Sequence, residues 1–265
     1  MPSGTDLETI TAEDSPVIQA IVLDIEGTTC PVDFVSKTLF PFAQEHLEAT
    51  LAKRMYESEI DTLVNNVIHE WMHDSDPTSH RLWKQLNKKL PSIQDIEAYL
   101  GHLIESDRKS TALKDLQGII WKRGYQSGQL KSSLFRDVLP QLDNWKREGK
   151  VLAVYSSGSI QAQKLLYRHT DEGDLTHYFD HWFDTHTGPK LVPESYKIIA
   201  QTLGFPANQV LFVSDHPVEC DAAQQAGLHA VFCLRNRNPH QNPGVHPVAR
   251  QFSDIDVDSI PDPQS

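Results

Sequence analysis

The chain has 265 residues with 36 acidic and 24 basic side chains, a formal charge of −12, and 39% hydrophobic and 8% aromatic residues. That length holds one large domain or two modest ones and can bury a core without disulfides or structural metal. The acidic balance argues against a nucleic-acid surface, which shows a basic stripe, and against a basic membrane-binding face; it leaves a metal site or a small anionic substrate open.

Residues 1–16 combine Gly, Pro, Ser and Thr with Asp6, Glu8, Glu13 and Asp14, and read as a loose acidic tail. They lack the basic and then apolar pattern of a secretory leader. Structure begins at Val17, where Val17–Leu23 is short, apolar and β-branched and runs into Asp24-Ile25-Glu26-Gly27-Thr28-Thr29. Such a run suits a strand buried on both faces of a parallel sheet. From Phe34 to about Leu130 no buried strand is evident. Leu39, Phe42, His46, Leu47 and Leu51 fit one helix, Ile60 to Trp71 a second, and Leu113 to Trp121 a later one, with Ser75-Asp76-Pro77-Thr78 as a break.

The strand pattern then returns. Asp137–Glu148 is a helical stretch stopped by Gly149. Val151–Tyr155 leads into Ser156-Ser157-Gly158-Ser159, and Val210–Val213 into Ser214-Asp215-His216-Pro217. His229–Leu234 is a fourth apolar run. Helical patterns over Glu194–Leu203 and Asp221–Ala226 lie between them. Strands alternating with helices predict an α/β fold with a parallel sheet, and the family resemblance given below implies that it is Rossmann-like. The expected division is an acidic tail (1–16), a core (17–33 plus 131–252), an inserted all-helical cap (34–130) and a second acidic tail (253–265). Cys30, Cys220 and Cys233 are few, odd in number and unpatterned, which fits a reducing compartment. No apolar run approaches the ~20 residues of a bilayer span. A soluble intracellular protein is expected.

Ligands of open α/β sheets bind beyond the carboxyl ends of the strands. Three strand ends here are polar in a complementary way. The first offers Asp24 and Glu26, which alternation along an extended chain turns to one side. The second offers the hydroxyls of Ser156 and Ser157 ahead of a helix, suited to phosphate oxygens. The third delivers Asp215, followed by Glu219 and Asp221. Lys190 adds a cation. Carboxylate clusters meeting at one edge repel unless a cation lies between them, and oxygen ligands favour a hard ion such as Mg²⁺. A carboxylate nucleophile, a second acid two residues on, phosphate-binding hydroxyls, a lysine and a metal carboxylate together describe phosphoryl transfer.

Asp24-x-Glu26-Gly27-Thr28-Thr29, Ser156, Lys190 and Ser214-Asp215-x-x-x-Glu219 resemble, in order, the four motifs of the haloacid dehalogenase (HAD)-like superfamily. The chain is more closely similar to the enolase-phosphatase E1 (acireductone synthase) family. It shares the Asp-Ile-Glu-Gly-Thr-Thr form of the first motif, Asp107-Arg108-Lys109-x-Thr111-Ala112-Leu113-Lys114-x-Leu116-Gln117-Gly118, Tyr155–Ser159 and Gln163–Leu166. The resemblance spans roughly Ile18 to Leu234, and nothing is carried over to residues 236–247 or the tails.

The resemblance implies a HAD core with a helical cap and a two-step reaction of methionine salvage. A phosphorylated diketone, 2,3-diketo-5-methylthiopentyl-1-phosphate, is enolised and then dephosphorylated to 1,2-dihydroxy-3-keto-5-methylthiopentene. It implies Asp24 as nucleophile and Glu26 as general acid and base. Ser156, Ser157 and Lys190 are implied on the phosphate. One Mg²⁺ per chain is implied on Asp24, Asp215 and Glu26, the last through its backbone carbonyl, with Glu219 supporting. A monomer of the cytoplasm, with the nucleus as a second location, and no nucleic-acid or membrane partner completes the expectation. The base of the enolisation is left open, with Glu26 as the candidate, as are the cap residues that read the methylthio end.

Other readings were weighed against this one. A HAD phosphatase for another small phosphoester fits the general motifs but not Glu26 or the Arg108–Gly118 match, and a non-catalytic binding protein has no use for Asp24, Lys190 and Asp215 together. His69-Glu70-Trp71-Met72-His73 matches the H-E-x-x-H turn of zinc peptidases. Its continuation does not, since Asp76 and Ser79 stand where Gly and His belong, and two exposed histidines on an amphipathic helix are the plainer reading. Ser159 reads as a helix cap, Arg108 and Asp221 as solvated charges, Cys30 as inert. Asp254, Asp256, Asp258 and Asp262 near the C-terminus match the four acids of the first tail, so most of the −12 belongs to the chain ends.

Overall fold

The computed structural model describes residues 17–260 apart from Lys88, Asp107 and Lys109. The expected N-terminal tail over 1–16 therefore lies outside the described residues. The chain forms two compact units. The first comprises the described residues of Met1–Thr29, Phe135–Ser157 and His177–Ser265; the second comprises those of Cys30–Leu134 and Gly158–Thr176.

The first unit is built on a six-stranded sheet: β1 (Ala20–Leu23), β2 (Val151–Tyr155), β3 (His181–Phe183), β4 (Val210–Ser214), β5 (His229–Cys233) and β6 (Val248–Ala249). The order is β3-β2-β1-β4-β5-β6, with every pairing parallel. β1, β4 and β5 are buried along their whole length, as uninterrupted apolar runs require when both faces are covered. The four expected strands are present. The two added strands, β3 and β6, are edge strands of three and two residues with half-exposed positions. They are too short for a periodic signal and leave little unpaired edge.

Helices Val138–Arg147, Pro193–Leu203 and Pro217–Gln225 belong to this unit. The last starts four residues before the expected Asp221, because Pro217 takes the first-turn position where a missing N–H is harmless. Tyr196 meets Tyr155 and Phe212 edge-on at ring separations of 5.6 and 5.0 Å, with Tyr155 and Phe212 tilted at 6.5 Å, in the core of this sheet. Beyond β6 the acidic C-terminal stretch still packs on the unit. Phe252, Ile255 and Val257 are buried, and Phe252 lies 5.5 Å from Trp145, so the expected tail does not begin at 253.

The second unit is helical, with no strand among its described residues. Its helices are a segmented run through Val32–Leu51, then Ser58–Met72, Pro77–Gln85, Ile93–Glu105, Thr111–Gln126 and Ile160–Arg168. Its core centres on Trp71, stacked on Tyr99 at 4.8 Å and edge-on to Trp83 at 5.3 Å. Arg108, expected as a solvated charge, instead grips Asp74 with two nitrogens at 2.6 and 2.9 Å and also donates to Ser79. Burial works against the Asp74 carboxylate, but this guanidinium pair and three further hydrogen bonds hold its pKa well below the usual carboxylate range. Ser159 caps its helix as expected, accepting from Ala162 N–H at 3.3 Å.

Candidate active site

The parallel register sets the site. Leu23 of β1 lies opposite Val154 of β2 and Val213 of β4, so Asp24, the residues from Tyr155, and those from Ser214 leave the sheet together at its carboxyl edge. Asp24 N–H still donates to Val213 O at 3.0 Å, which fixes the backbone before the chain turns. The turn is made by Gly27 at φ +74°. A Cβ there would stand 2.1 Å from Asp215 Oδ2 and 2.6 Å from Asn238 Nδ2. Only glycine allows both the left-handed backbone and this approach.

Around that turn the structure gathers Asp24, Lys190, Asp215 and Glu219. All three carboxylates belong to residues at most 9% exposed. Lys190 Nζ lies 2.5 Å from Asp24 Oδ1 and 2.6 Å from Glu219 Oε2, and 5.7–5.9 Å from the ring centres of Tyr155 and Phe212. Its loop is held from the core: Tyr155 OH donates to Gly188 O at 2.9 Å, Ser195 Oγ to Pro189 O at 2.8 Å and Tyr196 OH to Lys190 O at 2.7 Å. Burial alone lowers an ammonium pKa, but the two carboxylates outweigh it and raise that of Lys190, which stays charged.

Thr28 and Ser214 tie the acids to the backbone. Thr28 Oγ1 accepts from Asp215 N–H at 3.1 Å and lies 3.4 Å from Asp24 Oδ2; Ser214 Oγ donates to Glu219 Oε2 at 2.8 Å. Asp215 makes no ion pair among the described residues, and its one side-chain partner is Asn238 Nδ2 at 2.9 Å. Burial first, then repulsion by Asp24 and Glu219, pushes the Asp215 pKa up to about 8, with a smaller upward push from Glu26. Glu219 is raised for the same two reasons, burial and then Asp24.

Of the remaining expected residues, Ser156 is buried directly after β2, its N–H donating to Phe183 O at 3.2 Å, while Ser157 and Glu26 are exposed. Thr28, Ser214, Tyr155, Tyr196 and Asn238 complete the constellation and were not singled out from the sequence. Thr28 and Ser214 flank the motif acids and could have been. Asn238, in the segment 236–247, has no local signal.

The donor set can be tested for a divalent cation. Among the described residues no three His, Cys, Asp or Glu side chains form a ready-made cage. Mg²⁺ does not need one, being held by one or two carboxylates plus waters and substrate phosphate. Asp24 and Asp215 are buried oxygen donors, and three acids face a single lysine. That excess of negative charge, visible in the raised pKa of Asp215, is what a hard cation offsets. The residues therefore fit Mg²⁺.

The competing histidine motif has another use. Glu70 accepts from Ser110 Oγ at 2.5 Å and Ala112 N–H at 2.9 Å, closing the start of helix Thr111–Gln126, and His73 Nδ1 lies 2.8 Å from His69 O. The three cysteines are buried and none is in a disulfide, and burial raises the Cys220 pKa and that of Cys233, the latter to about 12, so both stay thiols. No helix among the described residues is long and apolar enough to cross a membrane.

Comparison with known proteins agrees with this geometry. A family model described as haloacid dehalogenase-like hydrolase matches residues 18–227. An enolase-phosphatase E1 from Synechococcus sp. (strain WH7803) is 51% identical over 240 residues, covering 90% of this chain and 99% of that protein. One from Klebsiella pneumoniae (strain 342) is 42% identical over 92% of this chain and 100% of its own length. Among solved structures, the UTR4 protein of Saccharomyces cerevisiae superposes with a TM-score of 0.65 at 32% identity, covering 90% of this chain and all of that one. CbbY from Rhodobacter sphaeroides in complex with phosphate, 18% identical with a TM-score of 0.51 over 89% of this chain and 95% of that one, shares the fold. A parallel sheet with this acid-and-lysine edge, matched at such identity over nearly the whole chain, places it in the enolase-phosphatase E1 family of the haloacid dehalogenase-like hydrolases, as a phosphatase.

Proposed function

We propose that this enolase-phosphatase acts in methionine salvage, converting 2,3-diketo-5-methylthiopentyl-1-phosphate to 1,2-dihydroxy-3-keto-5-methylthiopentene and phosphate. The observation that carries the reading is the buried Asp24 carboxylate, held 2.5 Å from Lys190 at the sheet edge shared with Asp215. A desolvated carboxylate fixed by a cation is an aimed nucleophile, and the lysine offsets repulsion by an incoming phosphate. Mg²⁺ would be held by Asp24, Asp215 and the Glu26 backbone carbonyl, with Glu219 supporting, and when bound supplies Lewis-acid polarisation of the phosphate oxygens.

In this reading Glu26 removes a proton from the substrate carbon in the enolisation. The same proton is then available to the leaving oxygen. Asp24 attacks phosphorus, the bond from phosphorus to the substrate oxygen breaks, and Glu26 protonates that oxygen. Water then attacks the aspartyl-phosphate while Glu26 takes its proton, freeing phosphate and the Asp24 carboxylate; that proton passes on to the oxygen that received the C–H electron pair in the enolisation, which completes the enol and restores the Glu26 carboxylate. An exposed Glu26 beside a buried Asp24 suits this division, since a proton shuttle exchanges with water and a nucleophile is shielded from it. Lys190 spends two of its three N–H donors on Asp24 and Glu219 and keeps one for a phosphate oxygen, beside the hydroxyls of Ser156 and Ser157.

The test follows the ultraviolet signal of the enol together with phosphate release from the diketo phosphate. Both are expected from the wild-type chain, and Asp24→Asn should lose phosphate release. Phosphate release without an enol signal would point to a simple phosphatase. Glu26→Gln that still enolises a phosphonate analogue at full rate would remove Glu26 from the first step.

A further inference from the structure

Asn238 lies in a loop far from every motif acid in sequence, yet it is 5% exposed and built into the site. Its Nδ2 donates to Gly27 O at 2.8 Å and to Asp215 Oδ2 at 2.9 Å, so both amide hydrogens are used. Those two acceptors fix the side-chain orientation, since a flipped amide would set its oxygen against two oxygens. The loop is folded to hold it there: Gln241 Nε2 donates to Asn238 O at 2.9 Å and to Arg235 O at 3.2 Å. Arg235 in turn pairs with Asp137 at 2.8–3.0 Å and donates to Thr28 O at 3.1 Å, tying the loop to the Asp24 turn.

The remaining polar atom has no partner. Asn238 Oδ1 is buried and accepts no hydrogen bond among the described residues. An unsatisfied buried acceptor costs about 1–3 kcal/mol and is rare enough in folded chains to need a reason. Here the amide sits on the one carboxylate of the cluster that lacks an ion pair. Its free oxygen is the group that would accept an O–H from a cation-bound water, and Mg²⁺ keeps several waters when it binds. Side chains that hydrogen-bond a metal ligand from behind orient that ligand and fix its coordinated water.

We propose that Asn238 is a positioning residue for a divalent cation at Asp215: its amide N–H groups lock the Asp215 carboxylate to the Gly27 turn, and its Oδ1 receives a cation-bound water. The inference rests on the reading of Asp215 as a Mg²⁺ ligand. Because a rigid carboxylate and a placed water favour the small octahedral ion, it extends to selectivity for Mg²⁺ over Ca²⁺.

The test is calorimetric titration of the full metal-free chain with MgCl₂ and CaCl₂, for wild type, Asp215→Asn, Asn238→Ala and the shape-preserving Asn238→Leu. Losing a hydrogen-bond partner of a metal ligand costs about 10–100-fold in metal affinity. Both Asn238 variants should therefore bind Mg²⁺ at least about ten-fold more weakly, with a smaller loss for Ca²⁺. A purely structural residue would instead lower the metal-free melting temperature and leave the Mg²⁺/Ca²⁺ ratio unmoved. In the wild-type chain itself, the Asn238 side-chain amide resonances should shift saturably with Mg²⁺, a readout that needs no variant to fold. Wild-type binding lost in Asp215→Asn but unchanged within two-fold in the Asn238 variants, or an Asn238 amide signal blind to Mg²⁺, overturns this inference alone. Binding that survives in Asp215→Asn overturns the metal assignment, and this proposal with it.

Discussion

Replacing Asp215 with Asn should make the metal-free protein more stable. The carboxylate is buried, faces Asp24 and Glu219, and shares no cation directly, which lifts its pKa from 3.8 to about 8. An acid whose folded pKa is raised keeps its proton in the folded chain while the unfolded chain gives it up. Its effect is absent below pH 4, grows as a penalty between pH 4 and 8, and levels off above. At about 1.36 kcal/mol per pH unit, the interval from 3.8 to 7 amounts to about 4 kcal/mol. Asparagine keeps the shape and can still accept from Asn238, but it has nothing to ionise. With some relaxation of the charged site, the gain at pH 7 is about 2–4 kcal/mol, and a chain of this size should melt roughly 4–7 °C higher.

The assay is thermal unfolding in chelator at pH 5.5, 7 and 8.5, with and without Mg²⁺. The gap between variant and wild type should widen with pH. Saturating Mg²⁺ should close it by stabilising only the wild type, by about 2.7 kcal/mol at a hundred times its Kd. A variant that melts at or below the wild type in chelator at pH 7, or a gap that does not change with pH, would refute the argument that these carboxylates repel.

Lys190→Met should lower stability by about 3–5 kcal/mol, because it leaves Asp24 and Glu219 buried without their cation; a denaturant melt that moves by less than 1 kcal/mol would contradict it. Gly27→Ala sets a methyl 2.1 Å from Asp215 Oδ2 at a left-handed position, so kcat should fall by at least about a hundred-fold as Asp215 is displaced. Steady-state kinetics checks this, and near-normal kcat would mean the turn can move aside. Glu70→Ala removes the acceptor for Ser110 Oγ and Ala112 N–H, and should cost about 1–2 kcal/mol of stability. Metal analysis of the wild type should find no zinc, and zinc bound to the wild type and lost from His69→Ala, whose histidine would be the ligand, would restore the peptidase reading.

Where the sequence was legible, one physical constraint acted over a few consecutive residues. Four apolar runs announced β1, β2, β4 and β5, because a strand covered on both faces has to be apolar along its length. Ser92-x-x-Asp95 ahead of Ile96, Tyr99, Leu100 and Leu103 marks the helix Ile93–Glu105 just as plainly through its capping box. Arg108 shows the opposite limit. Its isolated charge looked solvated, and only the fold brings Asp74 from 34 residues away to meet it.

The sequence by itself determined that this is a Rossmann-like α/β protein with an inserted helical segment, and that Asp24, Lys190 and Asp215 end up among its chemical groups. Strand ends in a parallel sheet must converge at one edge, so their polar residues can be assigned there before any coordinates. Only the tertiary structure decided how those groups share charge: that Lys190 bridges Asp24 and Glu219, that Asp215 is left without an ion pair, and that Asn238 supports it. Salt bridges and amide contacts between residues 23 to 166 positions apart follow from register and loop closure, which leave no mark on neighbouring residues. The −12 of the whole chain shows the same division. Composition placed most of it at the two ends, while Asp24, Asp215 and Glu219 acquire their electrostatic character from burial around a single lysine.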